Sequence, residues 1–142
     1  MTGRGEKPAG YLLDTSALLA LWNDEAGADT VEKVLRQGAA GKTTVYLSFM
    51  SLMEIRYRFL KSRGAGPADE IYQAARMLPC RRVDVDEELI LLASDIKGSN
   101  SLSVADSFIL AAAIQQNCTL IHKDPEFEQV RDKVTLLTLP YK

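Results

Sequence analysis

Gly10-Tyr11-Leu12-Leu13-Asp14-Thr15-Ser16-Ala17-Leu18-Leu19 carries two periodicities in one short stretch. Residues 10–13 form a continuous apolar run, which suits a central parallel strand buried on both faces. Residues 16–22 then take up helical spacing, with Asp14 or Thr15 where a helix N-cap belongs. A strand that passes directly into a helix is the opening of an alternating α/β domain. Asp14 stands at the junction. A carboxylate is among the side chains least often buried unless it is paired or binds a metal.

The rest of the chain repeats the pattern. Residues 28–40 read as a helix, with Val31, Val34 and Leu35 at helical spacing and Gly41 as the stop. Residues 43–47 are β-branched and aromatic and predict a second strand. Ser48 or Ser51 caps a helix running to about residue 62, closed by Gly64-Ala65-Gly66-Pro67. Residues 68–77 are a further helix, and residues 82–85 a short third strand. Asp86 caps a helix over residues 87–97, and residues 103–117 form the most apolar helix. A fourth strand covers residues 118–121, and residues 134–137 give a possible fifth. The expected fold is therefore a three-layer α/β/α domain with a mainly parallel central sheet of four to five strands. Residues 10–142 form one domain, behind a polar, glycine-containing tail over residues 1–9 that is expected to be flexible.

Three further acids share the situation of Asp14. Glu54 follows Ser48-Phe49-Met50-Ser51-Leu52-Met53 after strand two. Asp106 lies inside Leu102-Ser103-Val104-Ala105-Asp106-Ser107-Phe108-Ile109-Leu110-Ala111, and Asp124 comes after Thr119-Leu120-Ile121-His122-Lys123. In open parallel sheets, ligands bind in the crevice beyond the carboxyl ends of the strands. Asp14 and Asp124 follow strands one and four, Glu54 begins the helix after strand two, and Asp106 begins the helix before strand four. All four can meet at one sheet edge. Taken singly, Asp14 reads equally as a helix cap and Glu54 as a surface helix residue.

Composition excludes several classes. A hydrophobic fraction of 46% with 25% charged residues is that of a soluble globular chain. No apolar run reaches the roughly 18 residues a membrane span needs, and the N-terminus lacks a signal peptide's apolar segment. A cytoplasmic protein without membrane contact is expected. The two cysteines, Cys80 and Cys118, lack metal-ligand spacing and read as reduced, structural thiols. The net charge of -2 argues against a nucleic-acid partner only until the acids are set aside. Arg56, Arg58, Lys61 and Arg63 then stand out as a basic run after Glu54; alone, they read as a solvated helix face.

A cluster of carboxylates suits a hard divalent cation, Mg²⁺ or Mn²⁺, and such a site suits phosphodiester hydrolysis. Without metal the four acids repel, and one or more should have a raised pKa.

At this point the chain resembles a PIN-domain ribonuclease of the VapC type, the toxin of bacterial and archaeal toxin–antitoxin pairs. The likeness runs from residue 11 to about residue 139. It rests on Leu12-Leu13-Asp14-Thr15-Ser16-Ala17-Leu18-Leu19, Ser51-Leu52-Met53-Glu54, Leu102-Ser103-Val104-Ala105-Asp106, and Leu120-Ile121-His122-Lys123-Asp124-Pro125-Glu126-Phe127, in that order. The resemblance implies a metal-dependent endoribonuclease that leaves a 5′-phosphate and a 3′-hydroxyl. It implies that Asp14, Asp106 and Asp124 hold the cation, that Glu54 completes the catalytic set, and that Ser16 contacts an acid or a substrate phosphate. His122 departs from the family, which often has threonine there; it is a candidate outer residue, as is Arg56 for the RNA backbone. Glu126 is a weaker outer candidate. The implied partners are RNA, a VapB-like antitoxin and a second copy of the chain, with Trp22 the expected exposed anchor.

Other roles share some of these signals. An RNA-processing nuclease, or one acting on DNA ends, would keep the acids without the toxin role. A non-catalytic binding module on the same fold would need a broken acidic set. A receiver-type phosphoacceptor domain does not suit acids carried on helices.

Overall fold

The computed structural model describes residues 9–142, so the tail expected over residues 1–9 lies, except for Ala9, outside the described residues. Five strands form one sheet in the order β3-β2-β1-β4-β5: β1 Gly10–Leu13, β2 Thr44–Ser48, β3 Arg81–Val83, β4 Thr119–His122 and β5 Leu136–Thr138. Every pairing is parallel. The central strand is β1, as its unbroken apolar run requires. Gly10 packs so tightly there that a Cβ would lie 2.4 Å from the Thr44 carbonyl oxygen of β2.

Strand alternation sorts the core into two halves. Leu12 and Leu120 face one layer, with Ile109, Leu110, Phe127 and Val130. Leu13, Val45, Leu47 and Ile121 face the other, with Leu18, Val31, Leu35 and Ile55. The helices are α1 Thr15–Trp22, α2 Ala28–Ala39, α3 Phe49–Arg63, α4 Ala65–Arg76, α5 Glu87–Ser99 and α6 Val104–Gln115. Residues of α1 to α4 supply the second half of the core, and residues of α5 and α6 the first. That is the three-layer arrangement expected.

Several boundaries differ from the sequence reading. Gly64-Ala65-Gly66-Pro67 does not close α3 and then wait; α4 begins at once, at Ala65. Gly64, at φ 91°, makes the break alone, and Pro67 fits the first turn of α4, where its missing N–H has no helical partner to lose. The third strand begins one residue earlier than expected, and the fifth is displaced to Leu136–Thr138. Residues 125–130, given no element in the sequence reading, form a 3-10 turn capped by the Asp124 side chain, which accepts from the Glu126 N–H at 3.0 Å. Trp22 is half-buried against the second core layer; the exposed large apolar residues of the α1 and α3 region are Met53, Tyr57 and Leu60 on α3.

Both cysteines are free, and burial pushes each thiol up to about 12. Neither can supply a thiolate nucleophile at neutral pH. Among the described residues no helix is long and apolar enough to cross a membrane.

Candidate active site at the carboxyl edge of the sheet

The strand order reverses direction about β1: the chain proceeds outward to β2 and β3 on one side and to β4 and β5 on the other. The crevice between the carboxyl ends of β1 and β4 is therefore the topological switch point. Asp14 follows β1 directly, and its N–H donates to the Ile121 carbonyl of β4 at 3.0 Å. Asp124 follows β4 by two residues. Asp106 sits in the first turn of α6, and Glu54 in the second turn of α3.

Local chemistry explains each placement. Asp14 caps α1, its Oδ1 accepting from the Ala17 N–H at 2.8 Å. The Ser16 hydroxyl, 2.7 Å from Oδ1 and 2.8 Å from Oδ2, donates to the same carboxylate. Ser16 Oγ also accepts from the Lys123 N–H at 2.8 Å, so one hydroxyl ties the end of β1 to the end of β4. The Lys123 ammonium donates to Glu25 Oε1 at 3.1 Å and to the Ala26 carbonyl at 3.0 Å, pinning the loop after α1 to the same corner. Ser103 caps α6 by accepting from the Asp106 N–H at 3.1 Å.

Glu54 is buried, at 7% exposure, inside a polar pair that links α1 to α3. The Thr15 hydroxyl donates to Glu54 Oε1 at 2.6 Å and lies 3.0 Å from the Ser51 hydroxyl. Ser51 and Glu54 are three apart on α3 and so share a face. Thr15 and Ser51 were not among the expected site residues; the available signal was that spacing together with the position of Thr15 beside Asp14.

The electrostatics show how the acids meet. Asp14, 2% exposed, has its carboxyl pushed up to about 7 by burial. The hydrogen bonds from Ser16 and Ala17 oppose the rise, and the charges of Asp106 and Asp124 add to it. Asp106 is pushed up to about 6, by burial first and then by Asp124 and Glu54; the Ser103 hydrogen bond and the Arg58 charge pull against it. Asp14, Asp106 and Asp124 thus act on one another, and Glu54 acts on Asp106.

His122 and Arg56 have other occupations. The His122 ring is fully buried at the end of β4. Its Nδ1 accepts from the Asp124 N–H at 3.1 Å, which leaves Nε2 to carry the proton and donate to Thr138 Oγ1 at 2.8 Å. Burial lowers its pKa from the ordinary 6.5, so the ring is neutral. His122 therefore shapes the turn that carries Asp124 and has no open nitrogen for substrate. Arg56 turns to α4, where Nε and Nη2 donate to Asp69 Oδ1 at 3.2 and 2.9 Å. The basic residue beside the acids is instead Arg58, 4.0 Å from Glu54 Oε2. Glu126 is exposed, its N–H and side chain engaged with Asp124 and Gln129.

Among the described residues, no three His, Cys, Asp or Glu side chains close into a ready-made ion cage. The donor set is nonetheless all oxygen, and among the described residues no basic side chain forms an ion pair with either raised carboxyl. An all-oxygen donor set suits a hard divalent cation, which can keep several of its waters and take only one or two protein carboxylates directly.

The fold and the ordered acids define a nuclease-like α/β class. The chain belongs to the PIN-domain family: the family model described as PIN domain matches residues 11–133. Solved structures agree on the fold. VapBC from Salmonella typhimurium bound to DNA aligns with a TM-score of 0.71 at 17% identity, covering 91% of this chain and 97% of that one. VapBC2 from Rickettsia felis, bound to a promoter DNA fragment, aligns at 0.69 and 16% identity, covering 92% and 98%. VapC20 of Mycobacterium tuberculosis, a toxin that cleaves the sarcin-ricin loop, aligns at 0.68 and 21% identity, covering 85% and 95%. At these identities the likeness is one of fold. No match was found among the curated proteins.

Proposed function

We propose that this chain is a Mg²⁺- or Mn²⁺-dependent endoribonuclease, the toxin of a toxin–antitoxin pair, held inactive by a VapB-like antitoxin. The observation that carries the reading is the acidic cluster at the switch point, where burial and mutual repulsion raise Asp14 to about 7 and Asp106 to about 6. Such a cluster destabilises the fold when ionised and bare, so its natural complement is a cation.

Asp14, Asp106 and Asp124 would hold the cation, directly or through water. When bound, it supplies a water of lowered pKa and offsets charge on the pentacovalent phosphorus. Glu54, held at Oε1 by Thr15, would have Oε2 left to orient an attacking water. Ser16 fixes the Asp14 carboxylate by its hydroxyl. The products are a 5′-phosphate and a 3′-hydroxyl, with no covalent intermediate; both free thiols are pushed up to about 12 and His122 is neutral and fully engaged.

The toxin role draws support from the fold neighbours, which include toxin–antitoxin complexes. Met53, Tyr57 and Leu60 along the exposed side of α3 offer apolar area for an antitoxin or for the second copy of a homodimer. Residues 10–142 act as one nuclease domain in the cytoplasm, where RNA is available.

Incubating the protein with total RNA in Mn²⁺, in Mg²⁺ and in EDTA tests the chemistry. Metal-dependent cleavage with 5′-phosphate ends, lost in Asp14→Asn, is the expected result. Growth arrest on induced expression, relieved by a small neighbouring gene product, tests the toxin role. Cleavage without arrest would favour an RNA-processing nuclease instead, and absence of Mn²⁺ binding by calorimetry a non-catalytic module.

A further inference from the structure

The basic residues around the acidic edge differ in how far they are already committed. Arg56 is held by Asp69 through two N–H groups. Arg63 donates to Asn23 Oδ1 at 3.3 Å and lies over the Phe59 ring at 4.6 Å. Lys61 lies 6.0 Å from the centre of the Tyr57 ring, and Lys123 is bound to Glu25 and Ala26. Arg58, alone of the three arginines in this group, makes no side-chain hydrogen bond among the described residues. Its Nη2 stands 4.0 Å from Glu54 Oε2, beyond hydrogen-bonding reach, and its side chain is 50% exposed.

Position matters as much as availability. Arg58 lies one helical turn beyond Glu54 on α3, and its charge also acts on Asp106. It is therefore the cation that flanks two of the four acids, with its guanidinium fork open to solvent. A guanidinium matches a phosphate in a planar, two-pronged contact, which a carboxylate at 4.0 Å does not satisfy. The acids repel an RNA backbone, so a substrate phosphate reaching them needs a compensating positive group at the rim.

We propose that Arg58 is the residue that grips the RNA phosphate next to the acidic cluster, and that it leaves its loose attraction to Glu54 to do so. The inference rests on the ribonuclease reading above and goes beyond it by naming the substrate-positioning group. It also assigns that role away from Arg56, which the helix pairing with Asp69 keeps occupied. Arg58 orients the strand; it takes no part in bond breaking.

The test measures binding apart from cleavage. Fluorescence anisotropy of a labelled single-stranded RNA is followed in Ca²⁺, across a series of salt concentrations, for the whole chain and its variants. Arg58→Gln should weaken binding about ten-fold and lower the slope of log affinity against log salt by about 0.7, the loss of one phosphate contact on a single strand. Arg58→Lys should keep the slope while losing part of the affinity, because the charge stays and the fork goes. Arg36→Gln on α2 serves as a control that removes an equal charge at a distance. In Mn²⁺ cleavage assays, Arg58→Gln should raise KM more than it lowers kcat. Unchanged affinity and slope in Arg58→Gln, with the wild type binding normally, overturns the assignment and leaves the nuclease reading standing. An equal loss of slope in Arg36→Gln also overturns it, since the effect is then general charge. A wild type that neither binds nor cleaves RNA overturns both. Equal melting temperatures of the variants exclude misfolding as the cause.

Discussion

The Thr15 hydroxyl donates to Glu54 Oε1 at 2.6 Å, joining the first residue of α1 to a carboxylate 39 positions away on α3. Glu54 is buried, and this bond supports its carboxylate from the protein interior; the same Thr15 hydroxyl also lies 3.0 Å from the Ser51 hydroxyl. Thr15→Val keeps the shape and removes the donor. We expect a loss of about 1–3 kcal/mol in unfolding free energy, the usual cost of leaving a buried polar group unsatisfied. Thr15→Ser should recover most of it. Urea denaturation of the three proteins checks this, and equal stability of the valine variant would show that water replaces the hydroxyl.

Asp14→Asn separates function from stability. Asparagine keeps a carbonyl oxygen for the Ala17 N–H and for Ser16, and it removes a charge that burial disfavours. At pH 8 without metal, the variant should be more stable than the wild type by on the order of 1–3 kcal/mol. It should also fail to cleave RNA. Melting in EDTA and a cleavage assay in Mn²⁺ read the two effects, and a destabilised variant would show that the carboxylate is compensated within the protein.

The same carboxyls set a pH window. Asp14 and Asp106 rise from 3.8 to about 7 and about 6, so between pH 4 and 7 the folded chain binds more protons than the unfolded one. Stability of the metal-free protein then falls as pH rises through that window. A divalent cation binds the ionised acids and should reverse the trend. Melting temperature in EDTA is expected to decline from about pH 5 to pH 8, whereas in Mn²⁺ it should hold or rise. Parallel curves with and without Mn²⁺ would remove these acids from the metal site.

Much of this arrangement was legible in the chain itself, and the reasons are local. The apolar run of Tyr11 to Leu13 could only be a central strand, and Asp14 at its end had to lie at the carboxyl edge. Glu54 and Asp106 followed because each stands near the start of a helix, the one legible from its serine cap and glycine stop, the other from its apolar content. What sequence could not give was side-chain direction. Arg56 and Arg58 differ by two positions on α3, about 200° apart around the helix axis, so one meets α4 and the other the acids. Neither residue type nor spacing within the basic run distinguishes them. The role of Thr15 was likewise hidden, because its partner lies on another element. The 3-10 turn after Asp124 is too short for a periodic signal.

His122 offers a test of how the Asp124 turn is held. Its Nδ1 accepts from the Asp124 N–H and its Nε2 donates to Thr138, while the ring packs edge-on against Phe127 at 5.3 Å between centres. A protonated ring would lose the Nδ1 acceptor, and burial accordingly lowers its pKa. The sign is opposite to that of the acids: His122 contributes stability that is present above its unfolded pKa and lost as pH falls below it through the folded value. His122→Ala should cost about 2–4 kcal/mol, from the cavity beside Phe127 and the orphaned N–H. It should also lower kcat by displacing Asp124, with little change in RNA affinity, because the ring is buried away from substrate. The acid-side loss of stability should shrink in the variant. Denaturation between pH 4 and 7, paired with single-turnover cleavage at saturating RNA, reads both. A variant with lost RNA affinity and intact kcat would instead make His122 a substrate contact.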